Sequence, residues 1–461
     1  MSNRNKEPIE VVVLGAGFAG LTFARKFQPS QDQAGRPVKI TIIDKQNHHL
    51  FQPLLYQVAT AALAAPEVAG PVRAMFRGRT NVEVVMDVVE SIDLENRRVK
   101  CTLDEHRFDY LVIAMGGRTT YYGSDHWEQF APGLKTLADA FRIRKKMLTA
   151  FERAELSTDP VEKRRLMRTV VVGGGPTGVE LAGAMADLTR QIWKKDFRHI
   201  DIKDAEVILV DVADRVLMPY PPELSAAAQE QLEEIGVEVR LNTKVVDIKR
   251  HRVWLQGPDG EVVTHGAGTI LWGGGIQAAD ALLSMEGVER DRAGRVMVEP
   301  DLSVPGHPHV LCLGDAAHVR DAEGKPVPGV APAAMQMGTY AAKWMGREMV
   351  GNANGRPAFK YTDKGSMATI GRSKAVANLY NRLPLTGFPA WIAWMLIHLL
   401  FLVGFRNKVV TLIQWIYQYV TFKSGARVIV DADRPDGNVY NILRNAEADF
   451  AASPSPMSQS A

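Results

Sequence analysis

Val11-Val-Val-Leu-Gly-Ala-Gly-Phe-Ala-Gly20 is the stretch whose reading decides the fold. Four apolar residues, Val11 to Leu14, have the continuous hydrophobicity of a buried parallel strand. Gly15, Gly17 and Gly20 follow at G-x-G-x-x-G spacing, and a helical pattern begins at once. Each glycine has a mechanical task. The first permits a tight turn, the second lets a pyrophosphate approach the backbone, and the third lets the helix pack close to the strand. The helix N-terminus then offers free N–H groups and a positive dipole end to the phosphates. A second strand, Val38–Ile43, ends in Asp44, where a carboxylate can accept from ribose hydroxyls.

The unit recurs. Thr169-Val-Val-Val-Gly-Gly-Gly-Pro-Thr-Gly178 repeats the strand and the spacing at Gly173, Gly175 and Gly178, and predicts a helix running to Trp193. Glu206–Val210 then reads as a strand ending in Asp211, which would hold a 2′-hydroxyl and repel a 2′-phosphate. NADH is thereby favoured over NADPH, although Arg215 stands near enough to serve a 2′-phosphate. Two fingerprints in one chain predict two dinucleotide-binding modules, whose simplest joint chemistry is hydride transfer from a nicotinamide to a flavin.

Bulk properties agree with a globular protein of about three domains. The 461 residues carry 55 Lys and Arg against 52 Asp and Glu, so nucleic acid is not an expected partner. Cys101 and Cys312 lie far apart in strand-like surroundings and imply no disulfide framework; no metal site is expected. The first residues have no apolar run of the secretory kind. The tail from Ala446 has the small, polar composition of disorder.

Between the modules, Val82–Asp93, Arg97–Thr102 and Arg107–Ala114 read as strands, and Ala138–Glu155 as a surface helix. Ile235–Arg240, Lys244–Lys249 and Val253–Leu255 read as short strands of the second module. Leu111-Val-Ile-Ala-Met-Gly-Gly117, Thr269–Gly275 and His309–Ala317 are apolar strands stopped by glycine. In the last, Asp315 either faces a ligand crevice or caps the next helix. His48–Ala59 mixes aromatics, amides and leucines, as a loop against a flat ligand or a connector packed on the sheet would.

Together these segments resemble the two-dinucleotide flavoproteins of glutathione-reductase-like fold. That resemblance implies FAD on the first module and NAD(P)H on the second, with the first module resuming after the second. The redox Cys pair of the disulfide-reducing members is missing, so electrons must leave the flavin for another acceptor. A closer resemblance, to type II NADH dehydrogenases (single-subunit, non-proton-pumping NADH:quinone oxidoreductases), rests on five segments. They are His49–Ala59, Gly174–Glu180, Val330-Ala-Pro-Ala-Ala-Met-Gln-Met-Gly338, Lys364-Gly-Ser-Met-Ala-Thr-Ile-Gly371 and Gly387–Trp394, the last continuing to Leu402–Asn407.

The resemblance implies an α/β chain: two Rossmann-like domains and a C-terminal helical membrane-anchoring region. Its expected divisions are 1–134 and 291–370 for FAD, 135–290 for NADH, 371–445 for membrane association and 446–461 for a disordered tail. Glu180, Gln336 and Lys364 are the catalytic candidates. Without the resemblance they read as a residue favoured by the helix dipole, a capped glutamine and a surface lysine. Cofactor contacts are expected from Gly15, Gly17, Phe18, Ala19, Gly20, Asp44, Lys45, Gln52, Ala114, Gly116, Gly173, Gly175, Thr177, Gly178, Asp211, Gly274, Gly314, Asp315, Ala334, Met335 and Gln336. Ala331–Val350 is expected as a helix starting beside the flavin, its dipole stabilising the reduced ring.

Phe388–Phe405 is an uncharged, aromatic-rich run of about 18 residues, at the lower limit for spanning a bilayer. Trp391, Trp394 and Trp415 suit a membrane interface, and Val409–Phe422 with Gln414 and Gln418 reads as a second amphipathic helix. Two helices lying in one leaflet is the favoured reading. Arg372, Lys374, Arg382, Arg406, Lys408, Lys423, Arg427, Arg434 and Arg444 outnumber Asp431, Asp433 and Asp436, as anionic headgroups would favour. The expected setting is the cytoplasmic face of a bacterial inner membrane, with ubiquinone or menaquinone as acceptor and a homodimer possible. The competing readings are a flavoprotein reductase with a protein acceptor and a non-catalytic NADH-binding redox sensor.

Overall fold

The computed structural model describes residues 7–189, 197–321, 324–353, 355–421 and 427–429. Six strands form the first sheet, in the order Ser303–Val304, His307–Cys312, Tyr110–Ile113, Ile9–Leu14, Val38–Asp44 and Val82–Met86. All pairs but the first are parallel. The second sheet is wholly parallel, in the order Val237–Arg240, Val207–Val210, Thr169–Val172 and Thr269–Trp272. Val11–Leu14 and Thr169–Val172 are fully buried, as unbroken apolar runs require. The fingerprint strand is central in the first sheet and inner in the second. His307–Cys312 pairs with Tyr110–Ile113, so the first sheet is completed only after the chain has built the second.

The chain crosses between the sheets twice, and the crossings are paired. Gly117–Thr119 runs antiparallel to Ile276–Ala278. Gly117 has to be glycine there, because a Cβ would strike the Gln277 backbone and the Ile276 side chain. Trp272 locks the strap: its indole N–H donates to the carbonyls of Thr120 (2.9 Å) and Gly274 (2.6 Å).

Several element bounds differ from the expected ones. Val82–Asp93 breaks at Asp87, whose carboxylate accepts from the backbones of Val88 and Leu103. Arg107–Ala114 is two strands. Glu105–Arg107 closes a three-stranded antiparallel sheet with Val89–Asp93 and Arg98–Cys101, while Tyr110–Ile113 enters the parallel sheet. The chain turns between them because Phe108 is buried and the Asp109 carboxylate takes the Glu10 backbone N–H at 3.0 Å. Ile235 caps the preceding helix, and Gly236 turns with φ +84° before the strand starts at Val237. The second fingerprint helix is Pro176–Asp187; Trp193 lies outside the described residues.

The apolar C-terminal run is broken. Helix Gly387–Phe401 has 15 residues, the chain turns at Gly404 (φ +88°), and helix Phe405–Thr421 follows. Among the described residues no helix is long and apolar enough to cross a membrane. Trp394 and Trp415 are 3% and 9% exposed and face the protein, so they do not form an interfacial belt. They pack against each other at a tilt (5.7 Å between ring centroids), and Trp394 stacks on His398 (4.3 Å). The exposed apolar surface is elsewhere. Val409, Ile413, Ile416, Tyr417 and Val420 lie exposed on the outer face of the last helix, while Thr411 and Trp415 point inward. Leu396, Leu400, Phe401 and Phe405 extend that apolar surface. Part of the basic surplus is engaged by the protein itself: Arg372 sits on the Tyr419 ring (4.2 Å), and Lys374 pairs with Glu234. Lys423, Asp431, Asp433, Arg434, Asp436, Arg444 and the tail from Ala446 lie outside the described residues.

Helix Gly387–Phe401 packs mainly on strand Lys374–Leu379, whose neighbour Gly365–Gly371 rests on the Pro176–Asp187 helix through Gly183. A Cβ on Gly183 would land on the Ile370 carbonyl. Gly183→Ala is therefore expected to force the helix off the strand and lower stability by about 1–3 kcal/mol. A denaturant midpoint equal to that of the unsubstituted protein would contradict this packing.

Candidate functional site

The two glycine turns are built alike. Gly15 and Gly173 have φ +98° and +105°, conformations that side chains rarely tolerate. Cβ atoms on Gly20 and Gly178 would collide with the carbonyls of Gly15 and Gly173 respectively, so each third glycine lets its helix close on the turn. A Cβ on Gly17 or Gly175 would meet nothing within 4 Å. The middle glycine of each turn thus borders open space at a helix N-terminus, as a cradle for phosphate does.

Each acidic strand end reaches back to its own turn. Asp44 accepts from the Ala16 N–H at 2.6 Å and from Gln46 at 2.7 Å. Asp211 accepts from Gly174 and, at 2.7 Å, from Ala213. The carboxylates are held at the cradle edges by these bonds and keep lone pairs for hydroxyl donors. Arg215 does not attend the second cradle. Its guanidinium donates to the carbonyls of Tyr220 and Met218, which leaves the 2′-phosphate reading without its cation.

Around the first cradle the chain supplies small residues from separate elements. Gly314 (φ +67°) stands so close to Ala19 and Ala334 that a Cβ would touch both at about 3.5 Å. Helix Ala331–Met349 packs onto helix Phe18–Lys26 through Gly338, whose Cβ would strike the Ala19 carbonyl. Asp315 follows Gly314, half-buried, within electrostatic reach of Lys135. Burial holds the Lys135 ammonium below its ordinary range, and Asp315 pulls it back. Gln52, exposed, donates to the Lys135 carbonyl at 3.3 Å. Ala114 closes beneath the turn, since a Cβ on Gly15 would collide with its carbonyl. Gly116 (φ +66°) starts the crossing strap. Phe18 packs edge-on to His49 (5.2 Å), and His49 Nδ1 lies 2.8 Å from the Ala16 carbonyl. These groups suit a flavin dinucleotide: a phosphate cradle, a ribose carboxylate and a second polar cluster across the crevice. Lys45 is exposed beside Asp44, Met335 is half-buried in the first turn of its helix, and Thr177 and Gly274 are half-buried at the second cradle.

The three catalytic candidates are strung along residues 362–371. Gln336 exchanges two 2.9 Å hydrogen bonds with the Thr362 backbone, pinning the residues that lead to Lys364. Lys364 is exposed and its Nζ lies 5.9 Å from the Phe401 ring, at the end of the apolar helix. Strand Gly365–Gly371 then passes over Glu180, where the Thr369 backbone hydrogen-bonds its carboxyl. Burial drives the Glu180 carboxyl well above the usual carboxylate range, the Thr369 bond opposing. Glu180 is accordingly suited to carry a proton near neutral pH, where an ordinary glutamate is ionised.

A cleft of about 170 Å³ opens beside Glu180, between the Pro176–Asp187 helix, residues 56–62 and the two C-terminal helices. Within His48–Ala59 the chain forms a short strand, His48–Leu50, and helical turns from Gln52 to Ala59. Leu55–Ala59 is wholly buried, and the last helix is bolted to it by Trp415 Nε1 donating to Gln57 Oε1 at 2.8 Å. The sequence reading missed Tyr56, Asp187 and Gly183, although helical spacing from Glu180 could have marked Asp187 on the same face. Among the described residues no group of His, Cys, Asp and Glu has metal-binding geometry, and both cysteines are buried.

Comparison with known proteins agrees with this geometry. Residues 9–338 match the pyridine nucleotide-disulphide oxidoreductase family, and residues 364–422 match the NDH2 C-terminal domain. Two type II NADH:quinone oxidoreductases of Mycobacterium tuberculosis are each 41% identical. The first similarity covers 91% of this chain and 90% of that protein, the second 88% and 86%. The fold is that of NDH2 from Plasmodium falciparum, solved in complex with NADH, with a TM-score of 0.82 at 19% identity over 92% of this chain and all of that one. The chain belongs to the type II NADH:quinone oxidoreductases, within the pyridine nucleotide-disulphide oxidoreductase family.

Proposed function

We propose that this protein oxidises NADH and reduces a membrane quinone by two electrons through bound FAD, without pumping protons. The observation that carries the reading is the pair of equivalent cradles in a chain with no redox Cys pair. Residues 1–134 and 291–370 form the FAD module, 135–290 the NADH module, and 371–445 the membrane-association region. When bound, FAD supplies the two-electron exchange between nicotinamide and quinone.

The protein's own groups bind, orient and protonate. Gly15, Gly17 and Gly20 bring backbone N–H groups to the FAD pyrophosphate, and Asp44 takes the ribose hydroxyls. Asp315 and Lys135 face its far half. Gly173, Gly175 and Gly178 do the same for NADH, whose 2′-hydroxyl falls to Asp211. Glu180, whose carboxyl burial pushes well above the usual carboxylate range, serves as proton donor on the quinone side. Gln336 positions Lys364 beside the apolar helices, where a quinone head group arrives from lipid.

The outward apolar stripe on the last helix favours the bilayer surface over a protein acceptor. A soluble helix turns such residues inward, while Thr411 and Trp415 occupy that side here. A helix pair lying on one leaflet delivers the site to quinone without crossing the membrane.

Gly175→Ala is expected to fold and to keep its flavin, because the added Cβ meets no protein atom. It should raise KM for NADH tenfold or more by intruding on the pyrophosphate. An unchanged KM would remove the second cradle from NADH binding. Leu400→Glu, Ile413→Glu and Val420→Glu together replace exposed residues only. The triple variant should leave thermal stability unchanged and lose sedimentation with vesicles containing anionic lipid; full retention on vesicles would overturn the membrane assignment.

A further inference from the structure

Quinol formation needs two electrons and two protons, whereas NADH supplies two electrons and one proton. One proton per turnover therefore comes from water and has to reach a site pressed against lipid. We propose that the cleft beside Glu180 is that proton's entry route, with Asp187 as its outer carboxylate and Tyr56 as the hydroxyl between the two. The proposal rests on the NADH:quinone reading above.

Glu180, Ala184 and Asp187 all line the cleft. Their spacing of four and three residues places them on one helix face, with the two carboxyls about 10 Å apart along the axis. Ala184 leaves the space between them open. The Tyr56 hydroxyl, buried, lies within electrostatic reach of both carboxyls.

Its direction is fixed by a chain of donors. The Trp415 indole can only donate, and it donates to Gln57 Oε1 at 2.8 Å. The Gln57 amide nitrogen therefore faces Tyr56 and donates to its oxygen at 2.8 Å. Tyr56 must then direct its own O–H elsewhere, toward the cleft that holds the carboxyls. The last helix, which carries the outward apolar stripe, thus sets the polarity of the route through Trp415. The Trp394 indole N–H, in a residue 3% exposed that lines the same cleft, has no partner among the described residues. It offers a donor to water in the cleft.

At the outer end Asp187 accepts from the Arg372 backbone at 2.6 Å. The charges facing it are Arg372, in the turn after strand Gly365–Gly371, and Lys374, with Glu234 paired to Lys374; Tyr56 faces it from residues 55–59. Burial lifts its carboxyl to about 6 against the pull of the two cations. It can thus take a proton from neutral water and release it again. Each passage moves one proton inward and leaves Asp187 ionised, to be refilled from solvent, so charge and atoms balance over the cycle.

The test uses flavin-loaded protein in liposomes, comparing NADH oxidation by a short-chain quinone with oxidation by ferricyanide, an acceptor that takes no protons, from pH 5.5 to 9. Asp187→Asn and Tyr56→Phe should each lower the quinone-to-ferricyanide rate ratio at least fivefold above pH 7. The deficit should shrink toward pH 5.5, and Asp187→Glu should restore most of the ratio. A ratio and pH profile equal to the unsubstituted protein's in both variants overturns the proposal. Where Asp187→Asn loses flavin, Ala184→Leu decides: blocking the cleft should reproduce the fall, and an unaltered ratio overturns the route. Failure of the unsubstituted protein to reduce quinone at all would instead overturn the functional reading on which the route depends.

Discussion

Backbone lying directly on backbone is the constraint on which this structure depends. At Gly20 over Gly15, Gly178 over Gly173, Gly183 over Ile370 and Gly338 over Ala19, a single added carbon would strike a main-chain carbonyl. Each contact seats a helix on a turn, strand or helix, and each has a consequence for the site. The first two bring helix N-termini to the cradles. The third lays strand Gly365–Gly371 across Glu180. The fourth joins two helices whose N-terminal turns border the first cradle. Apolar burial supplies most of the driving force for such packing, but glycine decides how close the pieces come.

The two cradles and their acidic strand ends were legible in the sequence because their chemistry is local. The turn, the phosphate approach and the helix start all fall within ten residues, and the carboxylate ends the next strand. Asp44 and Asp211 add something that spacing alone could not reveal: each is tied by hydrogen bonds to the turn it serves. Arg215 shows the converse. Its position in sequence suits a 2′-phosphate, while its guanidinium is spent on two nearby carbonyls.

What stayed hidden depends on tertiary packing. Helix Gly387–Phe401 is apolar on nearly every side, so its pattern does not say which face turns inward. Trp394 and Trp415 therefore read as interfacial residues although they form the wall of a cleft. Asp187 and Tyr56 acquire meaning only when strand Gly365–Gly371 closes over the helix and Trp415 orients Gln57. Gln336 reaches the segment before Lys364, distant in sequence, through the Thr362 backbone. The resulting architecture sets three features on separate surfaces: the glycine turns at two helix N-termini, the cleft lined by Glu180 and Asp187, and the exposed apolar stripe of the last helix.

The most direct test of the account is anaerobic flavin absorbance of the purified protein in liposomes. One equivalent of NADH should bleach the flavin band, and subsequent quinone should restore it without oxygen or a protein acceptor. Absence of bound flavin, or bleached flavin that quinone leaves unaltered, would contradict the account.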